Sequence, residues 1–319
     1  MKVIVSPSRI SLIGGLSDYK EYFLNNPYGL TLGLAINLHH FLIIRELPPF
    51  FDYKSRLVTS KLELISKFDE IQNNGIRGVL EYLDLKDMSL ELMYYSDIPS
   101  SSGTGSSSAF ICALLKGLDQ YSARKPDSLW EACNCIERDL LKEPGGFQDP
   151  IYVSLGGFVR TRYDKTGVYP EKLKTLKGLE KYLLLLYNKG TRKSGEVIKS
   201  YIGKLEQDKG IGRIVEYTEK AQECLDKGDF IRFGAIIERT WEIKKALSDK
   251  VSTSELDDLY KTAIKQGCYG GKLLGGGGNG IMMMVCPPEL HERVVKETGL
   301  LRIPFKVEEN GTSIIYARD

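Results

Sequence analysis

Histidine and tryptophan are scarce in this chain: three and two among 319 residues. His39, His40 and His291 stand in no ligand pattern with cysteine, which argues against a Cys/His zinc site. The six cysteines, at 112, 133, 135, 224, 268 and 286, show no paired spacing and read as buried, reduced thiols. Neither charge sign dominates: 44 Lys and Arg against 42 Asp and Glu leave a net charge of +2. That balance speaks against a nucleic-acid binder and against an acidic solvating tail. No uninterrupted apolar run approaches the roughly 18 residues a membrane span needs. The N-terminal Met1-Lys2-Val3-Ile4-Val5-Ser6-Pro7 lacks an apolar core followed by a cleavage site, so the cytoplasm is the expected compartment. No internal repeat is present.

What is there is an ordinary globular composition, 42% hydrophobic and 27% charged, with 32 glycines concentrated in a few places. At roughly 150 residues per domain the length suggests two domains. Short apolar or alternating runs predict strands at 3–6, 39–45, 90–95, 157–162, 182–187, 281–285, 305–308 and 313–316. Helical spacing predicts helices over 65–83, 109–118, 129–141, about 192–205, 211–227, 229–246 and 253–266, with another from Pro288. Strands and helices do not alternate one for one, so the expected class is α+β. The polar, lysine-rich stretch 163–181 sets the expected boundary between domains 1–170 and 171–319.

Four segments carry chemistry. The first is Asp97-Ile98-Pro99-Ser100-Ser101-Ser102-Gly103-Thr104-Gly105-Ser106-Ser107-Ser108-Ala109, which follows a strand and opens into an apolar helix. Its glycines let backbone N–H groups approach an anion, and the helix N-terminus adds unpaired donors and partial positive charge. It is not a Walker loop, because no Gly-Lys-Ser/Thr follows. The second is Pro7-Ser8-Arg9-Ile10-Ser11-Leu12-Ile13-Gly14-Gly15-Leu16-Ser17-Asp18-Tyr19, where an arginine in an apolar strand demands an anionic partner. The third is Glu137 followed by Gly145-Gly146-Phe147-Gln148-Asp149-Pro150, two carboxylates suited to a metal ligand and a base. The fourth is Gly270-Gly271-Lys272-Leu273-Leu274-Gly275-Gly276-Gly277-Gly278-Asn279-Gly280, a run that suits two backbones in near contact, leading into a buried methionine strand.

Taken together these segments resemble the GHMP kinases, whose three motifs occur here in the family's order. The loop from Pro99 resembles the family's Pro-x-x-x-Gly-Leu-Gly-Ser-Ser-Ala ATP loop, with Thr104 in place of leucine. Gly14-Gly15-Leu16-Ser17-Asp18, Gly146-Phe147-Gln148-Asp149-Pro150, Trp241-x-x-Lys244 and Gly270-Gly271-Lys272-Leu273-Leu274 are similar to the sugar-1-kinase branch, above all the D-glycero-D-manno-heptose 7-phosphate kinases. Asn279 stands where the family has glycine, Gly276 where it has alanine, and Gly190-x-Arg192 is a shortened form of a family turn.

The resemblance implies a two-domain fold with mixed and antiparallel sheets and an ATP site in the cleft between domains. It implies ATP held by Pro99, Ser102, Gly103, Thr104, Gly105, Ser106, Ser107 and Ser108, and Mg2+ held by Ser107 and Glu137. Asp149 would act as base with Arg9 beside it, and Gly15, Ser17, Asp18, Gln148, Arg192, Lys244, Lys272, Gly276 and Gly277 would hold the acceptor. The expected reaction is direct in-line transfer to a hydroxyl of a sugar or sugar phosphate, first of all C1 of D-glycero-D-manno-heptose 7-phosphate. Kinases for fucose, galactose or glucuronate, and a silent sugar and nucleotide sensor on the same fold, are the alternatives. Nucleic acid and membrane are not expected partners; a monomer or homodimer is.

Overall fold

The computed structural model describes residues 1–174, 176, 178–189 and 194–318. Twelve strands run in chain order: β1 (Lys2–Ile13), β2 (Gly29–Glu46), β3 (Ser55–Val58), β4 (Leu62–Ile65), β5 (Leu90–Ser96), β6 (Phe158–Asp164), β7 (Gly167–Leu173), β8 (Leu183–Asn188), β9 (Gly270–Leu273), β10 (Gly280–Val285), β11 (Leu301–Ile303) and β12 (Ser313–Ala317). The larger sheet has the order β12-β1-β2-β5-β3-β4, with β6 and β7 continuing from β2. It is antiparallel throughout except between β3 and β5. The smaller sheet, β11-β8-β10-β9, is wholly antiparallel. The helices are α1 (Lys20–Phe23), α2 (Asn74–Tyr82), α3 (Ser106–Leu118), α4 (Leu129–Asn134), α5 (Gln148–Leu155), α6 (Leu179–Tyr182), α7 (Ser194–Lys199), α8 (Lys209–Asp226), α9 (Phe230–Leu247), α10 (Ser254–Lys265) and α11 (His291–Thr298). Among the described residues, no helix is long and apolar enough to cross a membrane.

Of the three hydrophobic clusters in the interior, two place most of these elements. Ile4, Leu42, Ile44 and Leu92 of the larger sheet pack against Val79 of α2, Leu114 of α3 and Ile136 beyond α4. Ile10, Leu12 and Leu34 pack with Phe233 and Ile237 of α9 and with Ile281 and Met283 of β10, so this second core is shared by both halves of the chain. Met282, Met283 and Met284 are all buried, as a strand inside a core requires.

Strand β1 is where the sequence misleads most usefully. The strand does not stop at Pro7 but runs on to Ile13. Its pairing with β2 slips between Pro7 and Ser8, a position where a proline costs no ladder bond. Across the slip two residues of β2, Asn37 and Leu38, are skipped, and the faces that β1 presents to the two cores change over. Ile4 therefore meets α3, and beyond the slip Arg9 meets the loop leading into α3, while Ile10 and Leu12 turn to the other core.

Three other expectations need correction. Of 65–83 only Asn74–Tyr82 is α-helical, because Leu62–Ile65 pairs as β4 with β3 and the Asn73 side chain accepts from Ile76 N–H, starting the helix there. Residues 305–308 form no strand, only a bridge of Val307 to Ile36. The boundary at 170 cuts β7, and β12 returns to pair with β1, so the last strand completes the first sheet. The six cysteines are free thiols, five of them buried. Cys268 and Cys286, distant in sequence, share a hydrogen bond.

Gly33 of β2 lies under α5: a Cβ there would come within 2.1 Å of the Tyr152 ring. The Tyr152 hydroxyl donates to Thr31 Oγ1 at 2.6 Å, which leaves the ring little freedom to retreat. Gly33→Ala is expected to cost about 1–3 kcal/mol, the usual scale of overpacking, in chemical denaturation. Because Tyr152 stands one turn after Asp149, the same change should reduce turnover. An unaltered denaturation midpoint would show that α5 can shift freely.

Candidate active site

The loop before α3 is built by left-handed glycines, Gly103 at φ 85° and Gly105 at φ 77°. A Cβ at Gly103 would stand 2.6 Å from Leu274 O, and one at Gly105 2.9 Å from Arg9 Cγ, so space and conformation both demand glycine. The loop delivers Ser106 into a 13-residue helix whose first N–H groups have no intrahelical acceptor. Ser102 and Thr104 are buried and join hydroxyls at 2.8 Å, bracing the loop from behind. Pro99 is exposed at the strand-to-loop corner, outside the cavity wall.

The glycine run after β9 is the loop's other support. Ile281 N–H donates to Ser102 O at 3.2 Å. A Cβ at Gly275 would stand 2.7 Å from Gly103 Cα, and one at Gly280 2.7 Å from Ser102 O. Backbone lies on backbone here, as the sequence suggested. Gly276 lines the cavity, whereas Gly277 is spent on close packing against Val251.

Arg9 is 3% exposed and is fully used. Its Nε donates to Asp149 Oδ1 at 2.7 Å and its Nη2 to Asp149 Oδ2 at 2.5 Å. Its Nη1 donates to Gly103 O, and its backbone N–H to Thr104 O at 3.0 Å. One side chain thus fixes the loop and the carboxylate together. Asp149 opens α5, and its side chain keeps 30% exposure, on the cavity.

The cavity measures about 780 Å³ and reaches from Ser106, Ser107 and Ser108 past Asp149 to Lys244 and Lys272. Gly15 and Gln148 line it; Ser17 and Asp18 lie behind its wall. Ser17 Oγ donates to Gly14 O at 2.7 Å and accepts from Leu30 N–H at 3.0 Å, which closes the turn. Asp18 is fully buried and accepts from Leu16 N–H at 3.0 Å and Gln148 N–H at 3.2 Å. Burial, then the charge of Asp149, pushes its carboxyl up to about 6, against the pull of these backbone donors. As placed, Ser17 and Asp18 shape the wall rather than reach an acceptor. Arg192 lies outside the described residues.

Glu137 comes from an unusual local structure. The expected helix over 129–141 forms, but after α4 it continues as a π-helical turn, Cys135–Leu140. Such turns are rare and concentrate at functional positions. Glu137 is 8% exposed, and its two oxygens receive the Ser108 hydroxyl at 3.0 and 3.1 Å. Burial, then the charge of Asp149, pushes its carboxyl up to about 8, held back by hydrogen bonds from Ser107 and Ser108. Among the described residues no cluster of three His, Cys, Asp or Glu could hold a metal alone. Mg2+ is usually held by one or two protein groups together with phosphate oxygens. A buried carboxylate with an exposed serine hydroxyl at a phosphate-type loop fits that pattern.

Lys244 and Lys272 face the same cavity. Lys244 Nζ donates to Gly275 O at 2.5 Å, and Lys272 Nζ reaches Ser11 Oγ at 3.5 Å. Burial, reinforced by Arg9, brings Lys244 down to about 8. Burial, then Lys244 and Arg9, holds Lys272 well below the usual lysine range. Tyr19 and Trp241, quoted in the sequence only as parts of motifs, and Tyr201, which sequence reasoning passed over, line the cavity from three different segments. Ser11 could have been found, standing two residues after Arg9 and so on the same strand face.

A left-handed glycine cradle at a helix N-terminus, with an arginine-held carboxylate open to the same cavity, defines a phosphotransferase site. Residues 74–157 match the model of the GHMP kinases N terminal domain and residues 221–297 that of the GHMP kinases C terminal domain, together about half of the chain. The chain belongs to the GHMP kinases and is a sugar kinase that uses ATP as phosphate donor. A D-glycero-alpha-D-manno-heptose 7-phosphate kinase of Campylobacter jejuni is 28% identical to it over 91% of each chain. A galactokinase of Pyrococcus furiosus is 26% identical over 87% of this chain and 86% of its own. The crystal structure of a D-glycero-D-manno-heptose 1-phosphate kinase from Bacteroides thetaiotaomicron covers the whole chain with a TM-score of 0.79 at 22% identity, a likeness of fold.

Asp149→Asn keeps the shape and removes the carboxylate, the group a general base at this position would need. Turnover should fall by roughly 10²–10⁴, the scale of general-base loss, while ATP affinity measured by calorimetry stays near wild type. Arg9→Lys should retain more activity than Arg9→Ala, because it keeps a charge beside Asp149. Wild-type turnover in Asp149→Asn would leave only a positional role for this carboxylate.

Proposed function

We propose that the protein transfers the γ-phosphoryl group of ATP to the C1 hydroxyl of a sugar phosphate, D-glycero-D-manno-heptose 7-phosphate being the first choice, by direct in-line transfer. Phosphoryl transfer is mostly positioning and electrostatics. The backbone N–H groups of residues 103–108 would cradle the nucleotide phosphates. Mg2+ held by Ser107 and Glu137 would supply charge neutralisation on those phosphates. Asp149 orients the acceptor hydroxyl and takes its proton, in line with its opening onto the cavity. Arg9 holds Asp149 by both oxygens and sets positive charge beside the oxygens that gain negative charge in the transition state.

The observation that carries the acceptor is the lysine pair. Among the described residues, neither Lys244 nor Lys272 has a carboxylate partner in an ion pair, although both are drawn into a protein cavity. Two such ammonium groups call for an anion from outside, and a phosphate monoester supplies one. Lys272 reaches Ser11, two residues along β1 from Arg9, a separation of about 7 Å on an extended strand. A sugar of six or seven carbons spans that length between a reacting hydroxyl and a terminal phosphate. The similarity to a heptose 7-phosphate kinase over nearly the whole chain supports the same choice.

A panel of heptose 7-phosphate, mannose, fucose, galactose, glucuronate and mevalonate, with product position assigned by phosphorus NMR, tests the reading. Equal efficiency on an unphosphorylated sugar and on the sugar phosphate would overturn it. Lys272→Met should raise the KM for the sugar phosphate by roughly 10–100-fold, the value of a hydrogen bond to a charged group. The pH dependence has a definite sign. Lys244 carries its charge below about 8 and loses it above, and a phosphate monoester gains its second charge near pH 6. The acceptor KM should therefore be lowest between about pH 6 and 8 and rise on the alkaline side.

A further inference from the structure

We infer that the Ser108 hydroxyl has a positioning role, holding the Glu137 carboxylate in the orientation in which it takes Mg2+, rather than contacting the nucleotide phosphates itself. The inference rests on the reading of Glu137 as a metal-holding group. Ser108 is the third residue of α3 and is 3% exposed, whereas its neighbour Ser107 is exposed. The Ser108 hydroxyl divides its hydrogen between Glu137 Oε1 and Oε2. Its backbone carbonyl meanwhile accepts from Cys133 Sγ at 3.7 Å, one turn before Glu137. Two contacts from a single residue therefore join α3 to the segment that carries the carboxylate.

The π-helical turn explains why such a tie is needed. Leu141 N–H bonds to Ile136 O, five residues back, and Glu143 N–H bonds to Glu137 O at 2.9 Å. This wider winding turns Glu137 out of the register that an α-helix would give it. A carboxylate on a widened turn has no neighbour from its own helix to fix its plane, and a hydroxyl donated from α3 does so. Groups that orient a metal-holding side chain typically change metal affinity 10–100-fold when removed. The ATP-loop pattern this chain resembles ends in alanine at the position of Ser108. The hydroxyl is thus an addition on an otherwise familiar loop, and alanine suits the space.

Mn2+ serves as the probe, bound to the complex of the enzyme with ADP and measured by electron paramagnetic resonance. Ser108→Ala should weaken Mn2+ binding by roughly 10–100-fold, with a melting temperature near wild type and with turnover recovered at high Mg2+. Ser108→Thr, which keeps the hydroxyl, should bind Mn2+ more tightly than Ser108→Ala. Glu137→Gln provides the separating arm. Loss of Mn2+ affinity in Glu137→Gln but not in Ser108→Ala overturns the role of Ser108 and leaves Glu137 in place. Unchanged affinity in both removes Glu137 from the metal site, and the inference with it. A fall in melting temperature in Ser108→Ala that threonine does not repair would mean that Ser108 serves packing only.

Discussion

A guanidinium buried in the middle of a β-strand is the constraint from which the site follows. Arg9 cannot remain charged and desolvated unless every face of it finds an acceptor. It finds them in both oxygens of Asp149 and in the carbonyl of Gly103. These lie on α5 and on the loop before α3, elements separated by some forty residues. The arginine therefore sets the distance between the Asp149 carboxylate and the glycine loop before α3. The fork geometry of arginine suits this, since a lysine could satisfy one of these partners but not the planar set.

The second constraint is the near contact of two loops. Besides Arg9 and the Ser102–Thr104 pair, the phosphate-type loop is held by Gly275 and Gly280, which lie against its backbone with no side chain of their own between. The contact also brings Lys244 into the arrangement, through its bond to Gly275 O. The lysine end of the cavity and the loop thus share a support, and the support comes from the half of the chain that contains neither Arg9 nor Asp149. A single core spanning both halves makes this stable: Ile10 and Leu12 of β1 pack directly on Phe233 and Met283.

Much of this was legible in the sequence for physical reasons that act locally. An arginine amid apolar residues announces an anionic partner, and glycines beside a helix start announce a tight turn. The segments around Arg9, Gly103, Asp149 and Lys272 were legible because each carries such a local oddity. What escaped reading depends on distant partners. Pro7 reads as a stop, but a register slip against β2 absorbs it. Residues 65–83 read as one helix because burial of Ile65, Ile71 and Ile76 imitates helical spacing, while strand pairing claims the first part. Asp18 reads as a ligand because it follows a glycine turn, yet the backbone N–H groups that claim it come from Leu16 beside it and from Gln148, 130 residues away. Tyr201 carried no local sign at all; only the tertiary fold brings it to the cavity.

The electrostatics of the cavity tie these observations together. Burial moves Asp18 up to about 6 and Glu137 up to about 8, Lys244 down to about 8 and Lys272 well below its usual range. Every shift reduces charge in the empty pocket, because water that would solvate the charged forms is excluded. Glu137 sits by the loop and the two lysines line the far part of the cavity, where neither has a carboxylate in an ion pair among the described residues. A cation at Glu137 and an anion at the lysines would each favour the charged form of the group they meet. The low dielectric that disfavours these charges also strengthens every charge–charge interaction inside the cavity, so an ion bound at either end is felt there more strongly than it would be in water.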